Sequence, residues 1–558
     1  MLGVSLILFA LIATLRVNLF TLAQIPRAIT SVPWYDQWVM IDELALHDRG
    51  QPLWPILWSS YYWHRLVIPR LLFMADARWA ALGLLVWLTV SIQLAHLVLL
   101  IALAWLLFGK RSLACFVVAC TVILNLALSP YQMENFLWSN QVQFVLVYAA
   151  ATASFLLLEA GKRRVLLVVL SVFAALISSY TMANGLLVWP VLVLQALYLG
   201  FRRATVIALS LTGALVIASY LWNYQTAAMG MGLTGMLRDP LHAIFFLGLV
   251  LAGPLNLLSI HWGVAVAIVA LIPTTYLAIR ALRRFPVQPG VVALIASILF
   301  LVLTVASMVA ARMSPAWFAA LKGTFPLPSR TFTPICLFWL TVSMLVLYTC
   351  WIQQRRPMLL GLYGLFYSAL MFTNVQGQLV AAEDWADFFR GCDAVGAAFL
   401  LDVPDEQLLS LIWSNKAARE EGVKFLRQQH LAMFAEPRAA WAGKRVSELF
   451  AQAPIDRCIG AIEKTTASRV EGWAWDKQTG RSPDEILLAD ASGRIIGLAR
   501  GGFRHGYYPG LLMEAQPPPA SHSHLRHSEF LGYVRPNADS PMTAYGVLKG
   551  EQKVCTIP

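Results

Sequence analysis

The sequence is short of charge and short of enzyme signatures. Asp, Glu, Lys and Arg make up 13% of its 558 residues, against 58% hydrophobic ones, and the mean hydropathy is +0.64. Soluble domains run about 45–50% apolar, so the scarcity of charge excludes an ordinary soluble fold. The apolar part has no phosphate-cradling glycine loop, no zinc motif and no serine nucleophile elbow. "GMGLTG" at 230–235 has the glycines, but no strand precedes it and no Lys-Ser/Thr follows, so it reads as an exterior turn. Cysteines number seven, and Cys115, Cys120, Cys336 and Cys350 lie in apolar runs as small buried residues. His522, His524 and His527 follow "QPPPAS" and read as a solvated loop, so neither a metal nor a cofactor is expected.

What is present is long apolar runs, each near the ~20 residues that a spanning helix needs. They fall near 2–24, 80–107, 112–129, 142–160, 165–181, 185–200, 204–222, 262–281, 290–310, 334–352 and 357–373. A further run at 243–258 contains Gly253-Pro254 and reads as a re-entrant or surface-lying piece, because broken backbone at membrane depth must be covered by protein or line a cavity. The first run lacks a basic leader and a cleavage site, so it reads as a retained helix. The net charge of +12 sits largely in short connectors: Lys110-Arg111, Lys162-Arg163-Arg164, Arg202-Arg203, Arg280 with Arg283-Arg284, and Arg355-Arg356. That is the signature of cytoplasmic loops and excludes nucleic acid as the partner. With the amino terminus inside, eleven crossings keep these loops cytoplasmic and leave the tail outside.

The predicted fold is an all-α polytopic bundle over 1–373, a helical connecting region over 374–454, and a small exterior β domain over 455–558, read as sandwich-like. Strand signals in the tail are "SRVEGWAWD", "EILLADASGRIIGLAR" and "FLGYVRP". Cys458 and Cys555 bracket this domain and are candidates for a disulfide if it is exterior, which leaves Cys392 unpaired.

Three exterior segments, 26–79, 130–141 and 311–333, are rich in aromatic and polar residues. In the first, a helix over 36–47 puts Asp36, Met40, Glu43 and His47 on one face and Trp38, Ile41 and Ala45 on the other, with Asp42 pointing away from the acidic row. Asp36 is either the helix cap or a functional carboxylate. "SSYYWHRLVIPRLLFMAD" supplies His64, Arg65 and Arg70, which either grip a lipid phosphate or snorkel to headgroups. On the same side lie Glu134, Asn135, Asn140 and Gln143, then Tyr180, Thr181 and Asn184, then Arg312, Lys322, Ser329 and Arg330. Polar residues at a membrane edge usually line a cavity or pathway.

"YDQW", "YYWHRLVIPRLL", "NFLWSNQVQF", "SYTMANGLLVWP" and "PLPSRTFT", within a long first loop and many spans, resemble the GT-C-type integral-membrane glycosyltransferases, and within them a bacterial polytopic branch. The resemblance covers most of 1–373. It implies a polyprenyl-phosphate sugar donor, a glycan or lipid acceptor, and residence in the bacterial inner membrane. Asp36 would be the catalytic base with Glu43 as a second carboxylate. His64, Arg65, Arg70, Arg330, Asn184 and Glu134 would bind substrate and phosphate. "GWAWD" at 472–476 is similar to small β domains of surface-polysaccharide proteins. The alternatives are a transporter or flippase for a polysaccharide intermediate, and a non-catalytic membrane scaffold.

Overall fold

A computed structural model describes the chain except residues 1, 225–231, 254–259, 284–287, 313–328, 350–356, 467, 505–524, 526 and 537–540; the side chains of 2–4, 6, 7, 260–262 and 357–374 are likewise outside the description. Lys322, His522, His524 and Pro254 therefore lie outside the described residues. The first helices are α1 (Leu2–Ala28), α2 (Gln37–Asp48), α3 (Leu53–Trp58), α4 (Val67–Ala80) and α5 (Leu85–Ala104). They are followed by α6 (Leu113–Ala127), α7 (Met133–Leu137), α8 (Val142–Ala160), α9 (Val165–Thr181), α10 (Val188–Tyr198) and α11 (Arg203–Leu221). Next come α12 (Gly232–Arg238), α13 (Pro240–Leu251), α14 (Ile260–Leu282), α15 (Val291–Arg312) and α16 (Phe332–Leu347). The last are α17 (Pro357–Leu401), α18 (Glu406–Ile412), α19 (Lys416–Gln428) and α20 (Val446–Leu449).

Among the described residues, eight helical segments are long and apolar enough to cross a membrane, or nine if α12 and α13, bent by 112°, form one broken span. Three of the eleven expected runs fall outside that number for specific reasons. α9 and the Ala183–Tyr198 segment are apolar but short, and they are joined by a tight break rather than by a loop. The run at 357–373 is the start of a 45-residue helix whose early side chains are outside the description. α13 covers the first part of the run read as re-entrant, and 254–258 lie outside the described residues.

The chain forms two compact units, each interleaved in sequence. The first comprises residues 1–22, 53–72 and 86–382; the second comprises 23–52, 73–85 and 383–558. In the first, α16 is the most enclosed span, with 83% of its window buried, whereas α11 and α14 are only 22% buried and present most of their surface outward. α8 and α9 pack through small residues, as membrane helices do. Ser154 donates to the Ser171 carbonyl at 2.9 Å, and Ser171 donates back to the Ser154 carbonyl at 2.8 Å. Where α8 ends, Glu159 accepts from the Gly290 and Ala293 amides, both at 2.7 Å, and so caps the orphan N–H groups that open α15.

In the second unit, the apolar stripe of α2 is buried as its spacing predicts. Trp38, Ile41 and Ala45 are in the core, and Met40 joins them. Trp38 stacks at a tilt on Phe399, 5.9 Å away, and its indole donates to the Pro33 carbonyl at 3.0 Å. The stripe thus meets α17 and α19 rather than lipid. The carboxy-terminal strands are β1 (Ala451–Gln452), β2 (Cys458–Thr465), β3 (Arg469–Asp476), β4 (Glu485–Ala489), β5 (Ile495–Phe503), β6 (Glu529–Val534), β7 (Thr543–Leu548) and β8 (Lys553–Ile557). They make one sheet in the order β1-β8-β7-β4-β5-β6-β3-β2, antiparallel except for β1 beside β8. This corrects the sandwich: the sheet is single and curls into a half-barrel that brings β2 to β8. A Cβ on Gly460 of β2 would lie 2.6 Å from Ile557 of β8, so only glycine admits that approach. Cys458 and Cys555 are joined in a disulfide beside it, Cα atoms 5.7 Å apart.

A dense ion network ties α17 to this sheet within the second unit. Arg504 donates to Asp387 at 2.6 Å and to Asp384, while Arg390 donates to Asp387 at 2.8 Å and to the Gly502 carbonyl at 3.0 Å. Burial raises the Asp387 carboxyl despite those arginines. At Asp393 burial also pushes upward, but Arg438 and Arg500 outweigh it and hold the carboxyl below its usual range.

Candidate functional site

The first unit concentrates polar groups at one end of its helices. Consecutive helices alternate in direction there, so the start of α8, the end of α9, the start of α10 and the end of α11 share that end. Between α6 and α8 the chain does not run straight. Pro130 opens a 3-10 turn, α7 makes little more than one turn, Trp138 is extended, and Ser139–Gln141 form a second 3-10 turn. The entire stretch 132–145 is buried, and its polar side chains must find partners or cost free energy.

Glu134 finds them in the turn before α16. Its carboxylate accepts from the Arg330 amide at 2.9 Å and from the Arg330 guanidinium at 2.7 Å. Glu134 has no exposure, whereas the Arg330 side chain keeps 25%. Asn135 donates to Thr333 at 2.8 Å and to the Arg330 carbonyl at 3.2 Å, and Ser329 donates to the Tyr131 carbonyl at 2.7 Å. Residues 131–135 and 329–333 are therefore two halves of one local structure, in which Glu134 is enclosed and the Arg330 guanidinium is partly exposed.

"SYTMANGLLVWP" is a helix break. Met182 is extended, a 3-10 turn over Ala183–Leu187 follows, and the chain doubles back so tightly that a Cβ on Gly185 would stand 1.9 Å from the Ser178 carbonyl oxygen. Trp189 of α10 donates to Ser179 of α9 at 2.9 Å. The turn holds Asn184, whose amide N–H₂ lies 3.4 Å from the Tyr148 hydroxyl and 3.5 Å from Thr304.

The segment 53–72 is bound to these ends. His64 Nδ1 accepts from the Ala183 amide at 3.3 Å. Arg65 donates to the carbonyls of Trp58, Tyr220 and Trp222, and its guanidinium lies 5.1 Å over the Trp58 ring. Arg70 donates to the Ser59 carbonyl at 2.7 Å and the Leu57 carbonyl at 3.4 Å. Together the two arginines satisfy the carbonyls that α3 leaves open at its carboxy end, the terminus that favours cations. Both act as loop clamps here, committing to carbonyls the donors that a phosphate would use. Of the arginines expected to bind phosphate, Arg330 alone presents a partly exposed guanidinium edge, since Arg65 and Arg70 are 2% exposed.

One chemical property stands out. The side-chain carbonyl oxygens of Asn135, Asn140, Gln141, Gln143 and Asn184 are buried and accept no hydrogen bond from the described residues. Buried polar atoms are normally paired; amide oxygens of Asn18, Gln93 and Gln195 share this state elsewhere in the unit, but five fall within 135–143 and the 183–187 turn. A ligand rich in O–H or N–H donors would satisfy them.

Asp36 and Glu43 belong to the other unit. Asp36 stands at the amino-terminal cap of α2 without a capping side-chain hydrogen bond, and Glu43, seven residues on, is half-buried. The altered acid of α2 is Asp42, the one that helical spacing turns away from the acidic row: burial pushes it up to about 6, against the pull of Arg49 and with a push from Glu43. Sequence reading also missed a mid-span trio. Gln93 donates to the Ala127 carbonyl at 2.5 Å, and His96 pairs with Thr152 at 3.0 Å, both deep in apolar helices. Thr89, Gln93 and His96 fall at i, i+4 and i+7, a polar stripe that was the available signal. Among the described residues no group of three or more His, Cys, Asp or Glu side chains is placed to hold a metal ion. Searches of known protein families, characterised proteins and solved structures find no significant match to this chain.

Proposed function

We propose that the chain is an integral-membrane glycosyltransferase that moves a sugar from a polyprenyl-phosphate-type donor to a cell-envelope glycan or lipid. The observation that supports it is the set of five amide oxygens with no partner among the described residues, in the same unit as the Glu134–Arg330 pair. Sugar hydroxyls are donors that such a set would accept, and Arg330 is the residue we assign to a phosphate oxygen. In the transfer, the acceptor oxygen forms its bond to the anomeric carbon as the bond from that carbon to the phosphate oxygen breaks. The phosphate leaves with the electron pair, and the acceptor proton passes to a carboxylate, for which the family resemblance nominates Asp36. Eleven crossings, an inner-membrane location and an exterior β domain complete the reading. The Cys458–Cys555 bond favours an oxidising compartment for that domain.

The test uses purified protein in lipid nanodiscs with polyprenyl-phosphate sugars as donors. Transfer should be measurable in the native protein, fall at least a hundredfold in Asp36→Asn, and need tenfold more donor in Asn184→Ala. Native-like transfer in both variants would end the assignment. A second reading, transport of a lipid-linked sugar, is favoured by the break at 182–187 and the 112° bend at 232–251, since transporters build their sites on interrupted helices. Movement of labelled donor across vesicles without its consumption would select that reading.

A further inference from the structure

The turn that carries Asn184 is held by a bond that exists in only one protonation state. Ala183 opens the 3-10 turn, so its amide has no carbonyl one turn earlier to bond and needs an acceptor from elsewhere. The acceptor is His64 Nδ1, 119 residues away in sequence, at 3.3 Å. An imidazole nitrogen accepts only when it carries no proton. His64 must therefore be neutral, with its proton on Nε2. Imidazolium would set an N–H against the Ala183 N–H.

We propose that His64 is the positioning residue of the Asn184 turn, and that its protonation releases the turn. Among the described residues around it, the histidine is the group that titrates in this range. The three segments that meet here, 53–72, 165–198 and 203–224, contain no Asp or Glu. Their charged and titratable members near His64 are Arg65 and Arg70 on its own segment, Tyr61 and Tyr62 before it, Tyr180 beside the break, and Tyr220 and Tyr224 at the end of α11. Arginine and tyrosine keep one charge state between pH 5 and pH 7.5, while an ordinary imidazole titrates near about 6.5. Three neighbouring contacts do not involve the imidazole. Tyr180 bonds Ser219 at 2.7 Å, Tyr224 donates to the Trp63 carbonyl, and Arg65 keeps its carbonyls. Acid therefore loosens the turn selectively, leaving the frame around it in place. The consequence for substrate rests on the sugar-binding reading above: Asn184 is one of the unpartnered acceptors, so loss of its turn weakens binding as pH falls.

The experiment separates the two ideas by following the backbone without substrate. Hydrogen exchange of the Ala183–Leu187 amides is measured by mass spectrometry in nanodiscs at pH 7.5 and pH 5.0, corrected for intrinsic exchange. The native protein should lose protection on the order of tenfold at the lower pH. His64→Asn places a carbonyl oxygen where Nδ1 stands, an acceptor at any pH, and should keep native protection at both values. His64→Leu should be unprotected at both. Equal protection of the native turn at the two pH values, or the same acid loss in His64→Asn, would overturn the proposal. The asparagine variant decides the matter even if the leucine variant does not fold. Exchange that behaves as described, with no sugar-lipid binding at any pH, would leave the positioning role intact and remove the functional reading instead.

Discussion

At the scale of single residues, the acids of this protein differ chiefly in what surrounds them. Asp42 is half-buried and held near 6, above the 3.8 of a free aspartate. Its folded form binds the proton more tightly, so its contribution to stability is complete below about 3.8 and is lost as pH rises through 6. Asp42→Asn should therefore raise the thermal midpoint at pH 7.5 and leave it unchanged at pH 4, as a pair of unfolding curves would show. Glu134 is the opposite case, a buried carboxylate with dedicated donors. Glu134→Ala strands the Arg330 amide and guanidinium and should cost about 3 kcal/mol, read as a lowered midpoint in detergent; Arg330 is partly exposed, which keeps the loss from being larger. None of these roles could be read from residue type. "YYWHRLVIPRLL" announced cations near a membrane, but two of the three carbonyls that occupy the Arg65 side chain belong to Tyr220 and Trp222, more than 150 residues away.

At the scale of elements, legibility follows periodicity. α2 was recognisable because a 3.6-residue period sorts Trp38, Ile41 and Ala45 from its acids, and those side chains are buried. The breaks at 130–141 and 182–187 were marked only by their polar residues, because what creates them is close packing. Gly185 is the clearest instance. Gly185→Ala would drive a methyl against the Ser178 backbone oxygen, which cannot swing aside. The loss should be at or above the roughly 1–3 kcal/mol of ordinary overpacking, and circular-dichroism melting would register it. Leu186→Ala is the control: that side chain is half-buried on the same turn, and its truncation should cost less. Among the described residues, eight of the eleven apolar runs are helices long enough to span; 165–181 and 185–200 are apolar helices shortened by the break between them, and the side chains of 357–373 lie outside the description.

At the scale of the whole molecule, the β domain shows what a pattern of strands leaves open. Alternation along "EILLADASGRIIGLAR" is the same for a sandwich as for a curled sheet; the difference lies in β1 pairing with β8 and in β2 reaching β8 through Gly460. The disulfide fastens that closure over a separation of 97 residues. Its reduction should cost the domain about 2–4 kcal/mol, visible as trypsin sensitivity of the tail in dithiothreitol and absent from a control in oxidising buffer. The strand order has one more consequence, for biogenesis. The neighbouring pairs β2-β3, β4-β5, β5-β6 and β7-β8 can form as they emerge, but β3 waits for β6, β4 for β7, and β1 for β8, so the sheet closes only when its last strands have been delivered. Such distant pairings are intrinsically slow. The membrane helices can insert one after another while the tail is still being made, leaving half-formed strand edges exposed for a time. That interval is where this protein would be most open to misassembly, and where a folding helper would matter most.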